Sequence, residues 1–433
     1  MLKRILIGLV AVLIIGLGGF LILSYRPEIA PIDANSGPPF TPELVAKGEV
    51  LAGAGNCASC HTIEGGLPFS GGYAMKTGFG TIYSTNITPD IETGIGKWSE
   101  TAFRRALHEG VARDRSHLFP IFPYDHFTRI SDADVSALYA FLMTREPVLA
   151  PDEPNVLPFP LKIRAVQEGW KILFFRSGRF TETPDHTAEW NRGAYLAQGV
   201  AHCGACHTPR NVLGAEIRSQ QFAGAYVDGL LAPPLTKANP SIAPWTEEEL
   251  FAYLRNGVSR LHQAAGGPME TVIKDGLSKL PDQDIQALAV YFVDISEAAT
   301  RTSETKAAIS RWQGLNALDA SLSHDPAARL YVAACASCHY NAGDKPNLER
   351  PDLAFIDSVA ADDPTKLVRV ILNGQRAAMP AFGHGLSDAD IAMIANYLRT
   401  TRTNKAAWPA LESQVTAARA KGNSQSKTGA PQP

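Results

Sequence analysis

Three short stretches of the 433-residue sequence carry two cysteines and a histidine at one fixed spacing. They are "CASCH" at 57–61, "CGACH" at 203–207 and "CASCH" at 335–339. These stretches contain all six cysteines of the chain, which are Cys57, Cys60, Cys203, Cys206, Cys335 and Cys338. Since no cysteine remains to join distant segments, we expect each pair to act within its own motif.

The C-x-x-C-H pattern is the attachment signature of c-type haem. Its two thiols bond to the two vinyl groups of the porphyrin, and the two intervening residues let both thiols reach. The next residue is then placed under the iron as the proximal ligand, which predicts this role for His61, His207 and His339. The sequence therefore predicts three covalently attached haem c groups.

Other uses of these residues explain less of the pattern. A structural zinc site would need a fourth ligand at every copy, usually from a second paired motif. A thioredoxin-like redox pair requires neither the histidine nor three copies. Simple disulfides would leave each adjacent histidine unexplained. Haem attachment accounts for all three residues in each copy.

An electron-transfer haem usually has a second axial ligand, and methionine sulfur in that position raises the reduction potential. Met269 follows the second motif in "GGPME", and Met379 follows the third in "AAMPAF". Both lie in a Gly- or Pro-containing loop after a predicted middle helix. We therefore predict that Met269 and Met379 are the sixth iron ligands of the second and third haems.

The first copy departs from this pattern because its corresponding loop, "HLFPIFPYDHF", has Phe122 where a ligand is expected. Phenylalanine cannot bind iron. The remaining candidates for the sixth ligand are Met75, Met143, His117 and His126. A five-coordinate first iron with an open position is a further alternative.

The residues around each motif also repeat. Each copy has a predicted first helix before the motif, a middle helix after it and a closing helix. Ser99 and Thr246 have the residue type of N-caps for the middle helices, and Asp132, Asp282 and Asp388 occupy one position at the start of the closing helices. Apolar residues such as Val135, Leu138, Phe141 and Leu142 recur at helical spacing. The predicted fold is all-α, with three tandem class I-like cytochrome c domains at 41–146, 187–298 and 324–402.

The N-terminus contains an uncharged run at 5–23, preceded by Lys3 and Arg4. As a helix this run would be about 28 Å long, close to the hydrocarbon thickness of a bilayer. It lacks a small-residue cleavage site, which favours an uncleaved anchor at 1–26 over a cleaved signal. The positive-inside rule then places the two basic residues in the cytoplasm. We expect the haem domains on the periplasmic face of the bacterial cytoplasmic membrane.

Two other segments lie outside the predicted haem domains. The linker at 147–186 is proline-rich at first, and its second part alternates apolar residues with Lys162, Arg164 and Lys171. That part is predicted to form a short helix, either on a membrane or partner surface or as a strut against the haem domains. The tail at 403–433 is polar, and its last stretch, "AKGNSQSKTGAPQP", is expected to be disordered.

Composition excludes some classes of function. A net charge of −3 gives no basic footprint for nucleic acid. The sequence contains no paired carboxylates, nucleophile–base pair or phosphate loop in a supporting context, so no catalytic residue is predicted. A non-catalytic electron-transfer subunit explains the chain best.

The order of the motifs resembles a known family. The three C-x-x-C-H units, "FGTIYSTNITPDIETGIGKWS" at 79–99, "CHTPRN" at 206–211 and the N-terminal apolar run resemble the tri-haem cytochrome c subunit of bacterial membrane-bound dehydrogenases. Members serve alcohol, gluconate and related sugar dehydrogenases, and molybdenum-dependent aldehyde and N-heterocycle dehydrogenases. The resemblance implies that electrons pass from a catalytic subunit through the haems to ubiquinone or a terminal oxidase.

The resemblance also bears on individual residues. It implies that Met269 and Met379 are axial ligands and that Arg210 either pairs with a haem propionate or is a surface arginine. Phe122 departs from the methionine found in alcohol and sugar dehydrogenase members. The sequence "FPYDHF" is more similar to cytochromes paired with molybdenum hydroxylases, which favours such a partner over one dependent on pyrroloquinoline quinone (PQQ) or FAD.

Two functions of other classes remain as alternatives. An open first haem would permit peroxidase-like chemistry, and a chain without a dehydrogenase partner would be a free-standing electron carrier. Binding of cyanide or carbon monoxide to one haem would favour the first alternative. Purification as a lone polypeptide would favour the second.

Overall fold

The computed structural model describes residues 1–33, 39–227, 229–241, 243–262, 264–315, 324–339, 352–375, 379–403 and 405–427. The chain divides into two compact units. The first unit comprises residues 1–187 and 194–202, and the second comprises 188–193 and 203–433. The second unit thus includes most of the predicted domain 187–298 and all of 324–402, and the division into three tandem domains stays a prediction.

Helices dominate the chain before residue 200. They are α1 (Leu2–Ser24), α2 (Pro42–Ala54), α3 (Cys57–His61), α4 (Glu100–Glu109), α5 (Tyr124–Phe127), α6 (Asp132–Met143), α7 (Val166–Phe174) and α8 (Ala188–Gln198). Strands β1 (Ala74–Thr77) and β2 (Gly80–Tyr83) form an antiparallel hairpin.

The rest of the chain is also mainly helical. The helices are α9 (Gly204–His207), α10 (Glu247–Asn256), α11 (Pro268–Thr271), α12 (Asp282–Ile295), α13 (Thr302–Leu315), α14 (Pro326–Ala334), α15 (Ala336–His339), α16 (Asp357–Ala360), α17 (Thr365–Asn373), α18 (Asp388–Arg402) and α19 (Leu411–Lys427). A second antiparallel hairpin joins β3 (Ala225–Val227) to β4 (Leu230–Ala232).

These bounds confirm the predicted helical repeat. The first helices are α2, α8 and α14, the middle helices are α4, α10 and α17, and the closing helices are α6, α12 and α18. The side chains of Ser99 and Thr246 accept hydrogen bonds from the backbone N–H groups of Ala102 and Glu249, as N-caps do. The three aspartates at 132, 282 and 388 are the first residues of the closing helices, where a carboxylate suits the helix dipole.

In the first unit, α2 and α6 cross at Gly48. A Cβ atom at this position would lie 2.0 Å from the carbonyl oxygen of Ala137 and 2.6 Å from Cβ of Phe141. The neighbouring Lys47 ammonium lies 2.6 Å from a carboxylate oxygen of buried Asp134. A glycine therefore permits the close approach, and an ion pair beside it fixes how α2 meets α6.

The second unit uses the same arrangement where α8 meets α12. A Cβ at Gly193 would lie 2.0 Å from the carbonyl oxygen of Ala287 and 2.8 Å from Cβ of Tyr291. The neighbouring Arg192 donates two hydrogen bonds, of 2.8 and 2.7 Å, to the carboxylate of Asp284. A basic residue followed by glycine thus marks the crossing of first and closing helices in both repeats.

The third repeat packs α14, α17 and α18 around an apolar core that includes Tyr331, Val368 and Ile391. Helix α19 closes this core through buried Leu411 and Val415. The core therefore extends beyond residue 402, where the sequence placed the end of the third domain.

Disorder was expected for the polar stretch 420–433, but this is wrong for 420–427. Helix α19 continues through Lys427, and Arg419 pairs with Asp388 of α18 at 2.6 Å. Packing of the preceding apolar residues outweighs the low helix propensity of the polar ones. Residues 428–433 lie outside the described part of the chain.

The two hairpins add a small β component to the predicted all-α fold. Their strands have four or three residues, which is too short for an alternating apolar pattern to be seen in the sequence. Gly80 begins β2 with a positive φ of 126°, and a Cβ there would lie 2.3 Å from the carbonyl oxygen of Val156. The turn therefore requires glycine.

Helix α1 has 23 residues and is long and apolar enough to cross a membrane. Large apolar side chains along it are exposed, including Leu6, Val12 and Ile22. The structure thus contains the predicted apolar helix, which is a candidate for either an anchor or a signal segment.

Candidate haem-attachment sites

The first motif forms the short helix α3, which directly follows α2. Its last residue, His61, has Nδ1 2.6 Å from the carbonyl oxygen of Thr85. A carbonyl can only accept a hydrogen bond, so Nδ1 carries the proton and Nε2 is the nitrogen with a lone pair. A histidine that binds a metal usually has its other ring N–H held in this way.

The second motif repeats this geometry. His207 ends α9, and its Nδ1 lies 2.7 Å from the carbonyl oxygen of Pro233. Burial lowers the pKa of both His61 and His207, which favours the neutral imidazole that an iron ligand requires. His339 ends α15 in the third motif, and the residues that follow it, 340–351, lie outside the described part of the chain.

The six cysteines form no disulfide. Burial raises the pKa of Cys57 and of Cys203 to about 12, and that of Cys335 to about 11. The raised pKa values keep these three thiols protonated at neutral pH. Thiols that form no disulfide and are separated by two residues, with a following histidine whose Nδ1 is held in the first two motifs, fit covalent haem c.

Met379 and the third motif contact the same apolar core. Met379 packs against the same apolar core as Cys335 and Ala336. Its backbone N–H and carbonyl exchange hydrogen bonds of 3.1 and 3.0 Å with Gln375, which directly precedes the undescribed residues 376–378. A methionine at this point lies on the core that also contacts the motif's first cysteine.

Met269 is partly buried in α11 and follows the left-handed Gly267. The side chain of Leu230, on β4, would lie 3.0 Å from a Cβ at Gly267. The methionine loop therefore packs on the hairpin that leads to Pro233, the hydrogen-bond partner of His207.

Phe122 lies in the loop before α5, and its ring packs edge-on against Phe127 at a centroid distance of 5.4 Å. Among the candidate substitutes, His117 is fully engaged. Its Nε2 donates to the carbonyl oxygen of Ser24 at 2.8 Å, and its Nδ1 lies 3.1 Å from Nζ of Lys171. With both ring nitrogens engaged, His117 does not serve as an iron ligand in this conformation.

The other candidates have distinct surroundings. Met75 pairs with Ile82 across the first hairpin and packs near Phe119 and Ile121 of the altered loop. His126 is buried on α5, and its Nδ1 lies 3.0 Å from the carbonyl oxygen of Gln198. Met143 is the last residue of α6 and is partly buried. Of these three, Met75 packs on the loop that carries a methionine in the other two repeats.

The two carbonyl groups that orient the histidines were not predicted from the sequence. Thr85 lies 24 residues after His61, and Pro233 lies 26 residues after His207. Each follows a short hairpin, so the nearly equal spacing is the signal that would have revealed them. Arg210 donates to the carbonyl oxygens of Gly214 and Ala205, at 2.8 and 3.0 Å, and thus braces the loop after the second motif.

Comparison with known proteins identifies the family of the chain. The family model "Cytochrome c" matches residues 45–146, and the model "Cytochrome C oxidase, cbb3-type, subunit III" matches residues 323–398. The fructose dehydrogenase cytochrome subunit of Gluconobacter japonicus is 38% identical over 82% of this chain and 78% of its own length. The chain belongs to the family of cytochrome c subunits of dehydrogenases. Cytochrome c domains of this kind bind haem c covalently.

Two further relatives show how the family varies. The gluconate 2-dehydrogenase cytochrome c subunit of Pantoea cypripedii is 35% identical over 84% of this chain and 86% of its own length. A nicotinate dehydrogenase subunit of Pseudomonas putida is 41% identical over 92% of this chain. The chain spans about a third, 34%, of the length of that last relative.

Proposed function

We propose that this cytochrome subunit transfers electrons from a catalytic dehydrogenase subunit, through three c-type haems, to ubiquinone or a terminal oxidase. Haem c supplies one-electron chemistry at a potential set by its ligands and surroundings. The observation that carries the proposal is that the first two C-x-x-C pairs are each followed by a histidine whose Nδ1 is held by a backbone carbonyl.

The proposal assigns a role to each predicted site residue. Cys57, Cys60, Cys203, Cys206, Cys335 and Cys338 hold the haems covalently. His61, His207 and His339 are the proximal ligands, and Met269 and Met379 are the sixth ligands of the second and third haems. The carbonyl groups of Thr85 and Pro233 hold Nδ1 of two of these rings, which leaves Nε2 as the nitrogen that would bind the iron.

The partner is proposed to be a molybdenum hydroxylase acting on an aldehyde or an N-heterocycle. Phe122 supports this choice, because it replaces the methionine expected of alcohol and sugar dehydrogenase members. The similarity to the nicotinate dehydrogenase relative also supports it, since nicotinate is an N-heterocycle. A partner dependent on PQQ or FAD is the competing choice, supported by the similarity to fructose and gluconate dehydrogenase subunits.

We place the subunit at the bacterial cytoplasmic membrane, anchored by α1, with its haem domains in the periplasm. The length and apolar surface of α1 support the anchor. The domains of the proposal are the anchor at 1–26, haem domains at 41–146, 187–298 and 324–402, the linker at 147–186 and the tail at 403–433.

Purification from mildly solubilised membranes tests the proposal. Mass spectrometry of the tryptic peptides should find one haem on each of the three motifs, and a large catalytic subunit should purify with the cytochrome. Molybdopterin in that subunit would support the proposed partner, whereas PQQ or FAD would support the competing one. A motif without haem, or a chain that purifies intact and alone, would contradict the proposal.

Peroxidase-like chemistry at the first haem is a second candidate, favoured by Phe122 and by the engagement of both His117 nitrogens. It requires an open iron position. One carbon monoxide bound per fully reduced chain would support it. Three low-spin haems that bind no carbon monoxide would exclude it.

A further inference from the structure

Helix α7 has its polar residues inside and its apolar residues outside. Gln167, Glu168 and Lys171 are buried, with exposed fractions of 5–6%. Ile172 and Leu173 are 47% and 61% exposed. In a helix that faces water the distribution is the reverse. The outer face of α7 is therefore built for an apolar environment.

The two buried charges of α7 have partners in the first unit. The Lys171 ammonium donates hydrogen bonds of 2.7 Å to the carbonyl oxygens of Glu109 and Gly110, at the C-terminal end of α4. The Glu168 carboxylate pairs with Arg26 at 3.1 Å and lies 3.3 Å from Nδ1 of His117. These contacts hold α7 in one rotational setting, since any other setting would leave buried charges unpaired.

The end of helix α1 lies against α7. The ring of Phe20 would lie 3.7 Å from a Cβ at Gly169, and the Ser24 carbonyl accepts the hydrogen bond from His117. Arg26, just after α1, makes the ion pair with Glu168. The point at which the chain leaves α1 is therefore fastened to α7 by packing and an ion pair, and to His117 by a hydrogen bond.

The segment just before α7 extends the same composition. Phe159 and Ile163 are 82% and 47% exposed. Lys162 is exposed in this segment, and Arg176 is exposed just after α7. Exposed aromatic and aliphatic side chains mixed with cations are typical of surfaces that enter the headgroup region of a bilayer.

We propose that Phe159, Ile163, Ile172 and Leu173 insert into the lipid headgroup and acyl boundary, with Lys162 and Arg176 near anionic phosphates. This membrane-contact surface rests on the proposed function, in which α1 is a membrane anchor. Since α7 is fastened where the chain leaves α1, an α1 that spans the bilayer brings α7 to the membrane surface. The membrane-contact surface then fixes the orientation of the first unit on the membrane, which α1 alone would leave free to rotate.

Spin labels on single introduced cysteines test the proposal in the full haem-loaded chain. The native thiols are consumed in attachment, so labels report only the new sites. Three variants are compared in nanodiscs containing anionic lipid, with the haems reduced: Leu173→Cys on α7, Ile14→Cys within α1 and Val212→Cys. The last is a water control, because Val212 is 92% exposed in the second unit. The collision rates of each spin label with oxygen and with a water-soluble nickel chelate show whether the label lies in lipid or in water.

We expect labels at positions 173 and 14 to be protected from nickel and accessible to oxygen, and the label at 212 to show the reverse. If the label at 14 is in lipid but the label at 173 behaves like that at 212, the membrane-contact surface is refuted and the anchor stands. If the label at 14 is itself in water, the anchor fails, and the inference fails with it. If position 173 becomes protected only when the catalytic subunit is added, its partner is that protein, and the lipid proposal is overturned.

Discussion

The ion pair between Arg192 and Asp284 allows a sharp test of the helix-crossing arrangement. Arg192 donates one hydrogen bond to each carboxylate oxygen, at 2.8 and 2.7 Å, and only 8% of the Asp284 side chain is exposed. The substitution Asp284→Asn keeps the shape but removes the charge. One of the two acceptor oxygens becomes an NH₂ group that faces the N–H groups of Arg192.

The expected cost follows from the geometry. Breaking a buried ion pair by removing one partner costs about 3–5 kcal/mol. Here Arg192 is 39% exposed, so water partly restores its solvation and the cost falls to the lower end, about 3 kcal/mol. The substitution Asp282→Asn is a matched control on the same helix. Asp282 is 71% exposed and pairs with Arg255 at 3.2 Å, so its loss should cost at most about 1 kcal/mol.

Urea denaturation of the full chain in detergent measures both costs, followed by far-ultraviolet circular dichroism and by haem absorption. The transition of the second unit should move to clearly lower urea for Asp284→Asn and hardly at all for Asp282→Asn. The haem absorption change should accompany it, since α8 leads directly to the second motif. Equal shifts for the two variants would refute the view that this ion pair fixes the crossing of α8 and α12.

Three further predictions follow from other contacts. Gly48→Ala should destabilise the first unit by about 1–2 kcal/mol, because the added methyl group overpacks against the α6 backbone by more than the gain in helix propensity. Gly169→Ala is the control and should stabilise α7, because a Cβ there meets only ordinary contact with Phe20. Equal melting temperatures for the two variants would contradict this prediction. Burial lowers the pKa of His262 from 6.5 to about 3, so the folded state binds fewer protons and stability should fall as pH drops from 6.5 towards 3. His262→Phe should make the unfolding free energy, measured by urea titration at several pH values, depend less on pH. An unchanged pH dependence would count against this role of His262. Met379→Ala should add one carbon monoxide site per reduced chain, and unchanged binding would argue against ligation by Met379.

The repetitive parts of this protein were predictable because local sequence determines them. Each motif lies between helices with clear apolar spacing and recognisable caps such as Ser99, so helix positions followed from the sequence. The N-terminal apolar helix was equally plain from composition.

The parts that the sequence did not predict depend on tertiary contacts. The Thr85 and Pro233 carbonyls carry no side-chain signal, since any residue offers a backbone oxygen. The inverted burial of α7 was not apparent, because Lys171 resembles a solvent-exposed lysine until its carbonyl partners on α4 are known. Helix α19 was missed because its polar half forms only when Leu411 and Val415 pack on α18.

The division of helix α8 between the two units determines where the chain can be cut to express a fragment of this cytochrome. Its first part, 188–193, belongs to the second unit, while 194–202 belongs to the first. Tyr195, in the latter part, donates a hydrogen bond to Asp134 at the start of α6. A gene fragment cut at residue 187, where the repeat pattern suggests a boundary, would remove Tyr195 together with buried Ala194 and Leu196. The repeats visible in the sequence therefore do not coincide with the compact units, and recombination between related genes at residue 187 should disrupt the first unit.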